Sequence, residues 1–227
     1  MTNEKKKFLK NFIWNIMGTG LNSFNSLFFL IIVTRINGIN DAGIFSIAYS
    51  TALILYTIGL YSGRLCQVTD IENKVKDKDY IVGRIITCVL MIVLAIVFVF
   101  IKQYSPYKIG IFILLCVYKA TEAFGEILYG IMQKNELLYR SGQSLTIKSL
   151  GGLLIFFGID YLSHNLIYAC GSIILLNLVI LIIFDFFAVC RPLIKFDLKV
   201  NMSNVWYIFK SEFFVFANSF AGIYVLN

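Results

Sequence analysis

The sequence predicts an all-α, polytopic transmembrane helical bundle with six complete spans and the start of a seventh, its N-terminus in the cytoplasm. Three observations predict it. Hydrophobic residues make up 59% of the chain and charged residues 15%, with a mean hydropathy of +0.79, whereas a water-soluble domain carries about a quarter charged residues. The apolar residues gather in blocks of roughly twenty, the length a helix needs to cross about 30 Å of hydrocarbon. The blocks lack period-two alternation and exceed the roughly ten residues of a barrel strand, which excludes a β-barrel.

The first block, residues 12–33, follows a basic start containing Lys5, Lys6, Lys7 and Lys10. It is too long for a cleavable signal peptide and lacks a small-residue cleavage site. Residues 43–62, 82–101, 109–132, 145–162 and 166–187 form the next five blocks, and a last one begins near Trp206. From Phe213 to Asn227 the chain stays apolar with no flanking charge to close a span. The expectation is an N-terminal six-helix lobe over residues 1–200 and the truncated start of a second lobe over 201–227, the rest being a missing C-terminal lobe.

Loop charges set the orientation. With the N-terminus inside, only Arg35, Lys102 and Lys108 of the twenty lysines and arginines fall in outer segments, and Lys119 lies within a span. That asymmetry is what the positive-inside rule demands. It also accounts for the net charge of +7 without a nucleic-acid partner. The partner it implies is the lipid bilayer.

Few residue types remain for covalent chemistry. Cys66, Cys88, Cys116, Cys170 and Cys190 form no C-x-x-C pair and read as small hydrophobes. His164 stands alone in a predicted outer turn, so no histidine cluster exists for a metal or a general base. There is no phosphate-cradling glycine loop, zinc motif or nucleophile elbow. No enzyme activity, catalytic residue, metal or cofactor is expected. An envelope transferase, the competing class, would need an acidic or histidine constellation at a membrane face.

The fourth block carries the most specific signal. Lys119, Glu122 and Glu126 lie in it, followed by Tyr129 and Gln133, and at 100° per residue the five fall within an arc of about 80°. Each unpaired charge near a helix centre costs about 2.5–3.5 kcal/mol on insertion scales, so the stripe must face a polar cavity or partner helices. Lys119 and Glu122, three apart, can neutralise each other. Glu126 is left needing water, a proton or a cation. One reading is a substrate or ion pathway; the other is a buried pair that fixes helix register.

A second stripe, on the first block, holds Asn11, Asn15, Gly18, Asn22, Asn25 and Ser26. Helix packing and cavity lining explain it equally well, because asparagines and small residues also join membrane helices. Arg35 and Arg64 close the first and second blocks. They either snorkel to the interface or, as guanidinium forks, match phosphate oxygens. The mixed-charge run 70–79 reads as a solvated loop.

These residues together resemble the O-antigen and capsular polysaccharide repeat-unit flippases of the multidrug/oligosaccharidyl-lipid/polysaccharide exporter superfamily. The basic start with Asn11, Trp14, Asn15 and Gly18 is similar to their opening, and Gly38, Asp41, Ala42, Gly43 and Phe45 resemble their first outer loop. Arg64, Gln67, Asp70, Tyr80 and Arg84, then Lys119, Glu122, Glu126, Tyr129, Gly130 and Gln133, resemble the pattern of one subgroup. Lys148 stands where that subgroup has arginine.

The resemblance implies alternating access of a polyprenyl-diphosphate-linked oligosaccharide across the bacterial plasma (inner) membrane, driven by a proton or sodium ion. It assigns Lys119 to diphosphate, sugar acid or Glu122. Glu122 or Glu126 would take the driving ion, and the asparagines Asn15 and Asn22 the sugar hydroxyls. A cation-coupled drug antiporter of the same superfamily and a non-functional half remain as alternatives.

Overall fold

A computed structural model describes residues 3–70, 72, 74–194 and 201–226. Its elements are α1 (Asn3–Ile36), α2 (Ile39–Leu60), a short α3 (Gly63–Thr69), α4 (Asp77–Lys102), α5 (Pro106–Lys134), α6 (Leu138–Ser163), α7 (Leu166–Ile180) continuing as a π-helix (Leu181–Cys190), and α8 (Met202–Leu226). No strand occurs among the described residues. The predicted boundary at residue 200, and with it Lys195 and Lys199, lies outside the described residues, as does Asn227.

Local chemistry sets the helix ends. The α1–α2 turn passes through Gly38 at φ 87, a conformation that glycine adopts without steric cost. Pro106 occupies the first turn of α5, where its missing N–H breaks no bond. The Asn165 side chain caps α7 by accepting from the Ile167 N–H at 3.0 Å. Two left-handed residues, Tyr61 (φ 39) and Ser62 (φ 56), stop α2. The block expected to run through residue 62 ends at this break, and α3 follows it.

Helices α1 and α6 run parallel, as do α2 and α5, and polar contacts join matching ends. At one end Lys7 pairs with Glu136, and Asn11 accepts from the Tyr139 N–H at 2.9 Å. At the other, Asn37 donates to both oxygens of Asp160, and Tyr107 donates to Asp41 at 3.0 Å. Between them, Phe29, Phe45 and Phe156 bring the rings of α1, α2 and α6 within 4.8–6.4 Å of one another. Large apolar side chains such as Phe12, Ile16, Val89, Phe100 and Leu154 point outward instead, as a hydrocarbon solvent requires.

Five units are long and apolar enough to cross a membrane: α1, α2 with α3, α4, α6, and α7 with its π-helical extension. Five of the expected spans are thus present as apolar helices of sufficient length. The 29-residue α5 has the length but is set apart by Lys119, Glu122 and Glu126. A correction concerns residues 70–79. Asp79 is fully buried and accepts from the Asn201 N–H at 3.1 Å and the Asn204 amide at 2.8 Å, so this run is no simple solvated loop. A buried carboxylate needs such donors, and here they anchor the start of α8.

Candidate functional site

The charged helix is the central one. Helix α5 packs against α2, α3, α4, α6 and α7, so Lys119, Glu122 and Glu126 meet protein partners. That placement answers the cost of charge in hydrocarbon.

Toward its N-terminal half, Lys119 donates to Glu122 at 2.6 Å, with the two side chains 6% and 13% exposed. The ammonium also lies 4.7 Å from the Tyr49 ring centre, 5.2 Å from Tyr118 and 5.5 Å from Tyr56. Three ring faces and a carboxylate give this cation a closed set of partners. The expected pairing of Lys119 with Glu122 is present.

Two turns further on, Glu126 is not the leftover acid the sequence suggests. Arg64 donates from Nη1 to Glu126 at 2.7 Å and from Nη2 to Gln133 at 3.0 Å. The guanidinium thus spans two α5 side chains instead of snorkelling away. Arg64 lies on α3, which begins after the break at Tyr61–Ser62 and packs against α5. Gly130 provides the clearance: a Cβ there would sit 2.0 Å from the Gln67 side-chain oxygen.

Tyr129 faces a third group. Lys148 donates to the Tyr129 hydroxyl at 2.9 Å and to Asp185 at 2.5 Å, and the hydroxyl in turn lies 2.9 Å from the Ser144 hydroxyl. Asp185, on the π-helical stretch, is fully buried. Sequence reasoning missed it although it is an acid inside an apolar block, the same signal that singled out α5. Arg84 is nearly as buried; its guanidinium bonds the Gly59 carbonyl, which also accepts from Thr87 at 2.8 Å.

A cavity of about 450 Å³ opens beside this seam, lined by Arg64, Arg84, Glu126 and Gln133 together with Val215, Phe216 and Ser219 of α8. The structure therefore joins Arg64, Glu126 and Gln133 in one site. Lys119 and Glu122 form a separate closed group, and Tyr129 is buried against α6. Asn15 and Asn22 do not line this cavity. Asn22 accepts from Asn25 at 3.5 Å, and Asn15 lies at the α1–α6 joint, where the backbones nearly touch: a Cβ on Gly142 would lie 2.3 Å from the Trp14 carbonyl oxygen, and one on Gly18 would lie 2.5 Å from the Gly142 oxygen. At Asn15 and Gly18 the stripe meets a neighbouring helix at close range, as small residues allow.

The capsular polysaccharide biosynthesis protein CapF of Staphylococcus aureus is 26% identical to this chain over 208 residues. The match covers 90% of the chain and 50% of the relative, so the chain spans about half that protein's length. No family model matches the chain, and no solved structure matches it.

Proposed function

We propose that this chain is one lobe of a flippase that moves polyprenyl-diphosphate-linked polysaccharide repeat units across the bacterial plasma membrane by alternating access. The observation that carries the reading is the inward polar seam of α5, with Arg64 and Glu126 at the edge of a cavity. The relative's name supplies the substrate class, capsular polysaccharide. In this reading α5 is itself a span, since a helix with three ionisable residues crosses only where other helices or water cover them.

A lipid-linked diphosphate entering the cavity would compete with Glu126 for the Arg64 fork. Guanidinium binds phosphate oxygens in the same bidentate manner as carboxylate. Protonating Glu126 would release Arg64 for that purpose, which gives the acid a role in coupling. Lys119 holds Glu122 rather than waiting for a ligand. The antiporter alternative needs acids free for a small cation, and Glu122 and Glu126 are each held by a basic partner, so the flippase reading is preferred.

The test uses the full-length transporter in a cell lacking its own. Arg64→Ala should reduce surface polysaccharide at least about tenfold, with lipid-linked repeat units accumulating on the cytoplasmic leaflet and membrane abundance unchanged. A tenfold loss corresponds to about 1.4 kcal/mol of lost interaction. Export that survives Arg64→Ala at normal abundance would overturn the assignment.

A further inference from the structure

Glu212, on α8, is a buried acid with a hydrogen bond to Cys66 but no basic partner. The residue is 1% exposed and its Oε1 has no hydrogen-bond partner. Every other acid of the seam has a basic partner: Glu122 has Lys119, Glu126 has Arg64, and Asp185 has Lys148. The groups facing Glu212 come from each element packed around it. Tyr61 approaches from the end of α2, Cys66 from α3, and Tyr80 and Arg84 from α4.

Arg84 is the one cation in that set. Glu212 and Arg84 line the same crevice between α4 and α8, yet no ion pair joins them among the described residues. The Nε of Arg84 is likewise buried without an acceptor. A buried donor and a buried acceptor, both unsatisfied and facing one crevice, are an unmade bond. Leaving each group unsatisfied is costly, and an ionised carboxylate left bare is costlier still.

We propose that Glu212 is a proton-binding site, and that release of its proton lets the carboxylate pair with Arg84 and draws α8 onto α4. The arrangement described here is the protonated one, in which the neutral carboxyl tolerates the lack of a cation. On deprotonation the proton leaves through the adjoining cavity that Arg84 also lines, and the Arg84 Nε–H donates to the freed oxygen. Nothing is oxidised, and no bond other than O–H breaks. The site stands apart from what the chain carries. Only its use as the coupling site of a transporter rests on the function proposed above.

Infrared difference spectroscopy of the purified chain in liposomes, titrated from acid to alkaline pH, tests this without any transport measurement. The wild type should show a protonated-carboxyl stretch that disappears as pH rises. Glu212→Gln, nearly the same shape as the neutral acid, should lose that band, whereas Glu122→Gln should retain it. Arg84→Gln should keep the band to higher pH by about one unit or more, since it removes the cation that favours the charged form. A titrating band unchanged in Glu212→Gln, or one indifferent to Arg84→Gln, would overturn the proposal. If the band behaves as stated while export is insensitive to Glu212→Gln in the full-length protein, the proton site stands and the coupling role fails.

Discussion

The α1–α6 joint and the α5 seam start from the same kind of sequence, a polar stripe at helical spacing within an apolar block, and end in different structures. On α1 the stripe consists of glycines and asparagines, and it lets two backbones approach until Gly18 and Gly142 leave no room for a Cβ. On α5 the stripe consists of ions, and each draws a partner from another helix or another turn. Small residues solve a problem of distance, ions a problem of solvation. Where lipid is the solvent, the composition of a stripe says more about its use than its periodicity does.

The largest expected effect comes from breaking the charge side of this comparison at its deepest point. Asp185→Ala strands the Lys148 ammonium, whose side chain is 9% exposed, and should lower stability by about 3–5 kcal/mol. A thermal melt in detergent measures it, and the double change Lys148→Met with Asp185→Leu should recover most of the loss. Breaking the packing side comes next. Gly142→Ala forces a Cβ against the Trp14 carbonyl and should cost about 1–3 kcal/mol, read as a lower melting temperature and reduced membrane abundance.

Glu126→Gln sharpens the contrast, because stability and function should separate there. Its pair with Arg64 is 22–26% exposed, so the melt should change by no more than about 1 kcal/mol, while, on the function proposed above, export by the full-length protein falls. The smallest effect belongs to the exposed end. Lys7 hydrogen-bonds Glu136 and holds its carboxyl below the ordinary value of 4.5. Any stability this adds is present above that value and lost as pH falls through the lower folded value. Lys7→Gln should leave the melting temperature at neutral pH unchanged within error, and the two proteins should become indistinguishable in strong acid.

Much of the architecture was legible because hydrophobic blocks report directly on helices that must sit in hydrocarbon. The α5 stripe was legible for the same reason, since Lys119, Glu122 and Glu126 have no business in an apolar block unless they face inward. The partner of Glu126 was not, because Arg64 lies beyond the break at Tyr61–Ser62, and neither residue type announces a left-handed conformation. Asp185 and Glu212 were passed over because each is a single acid among phenylalanines, without neighbours at helical spacing to form a stripe. The α1 asparagines left two readings open because their chemistry suits a ligand and a neighbouring helix equally.

The π-helical stretch from Leu181 to Cys190 holds one residue more per turn-closing bond than the α-helix before it, and Arg191 donates back to Phe186 across it at 2.7 Å. Each reversion of such a turn to ordinary winding rotates everything downstream by about 100°. That would carry Asp185 off Lys148 like a key withdrawn from its wards. The segment that locks the middle of the bundle is thus also the one whose rewinding would unlock it, with no hinge glycine or proline required.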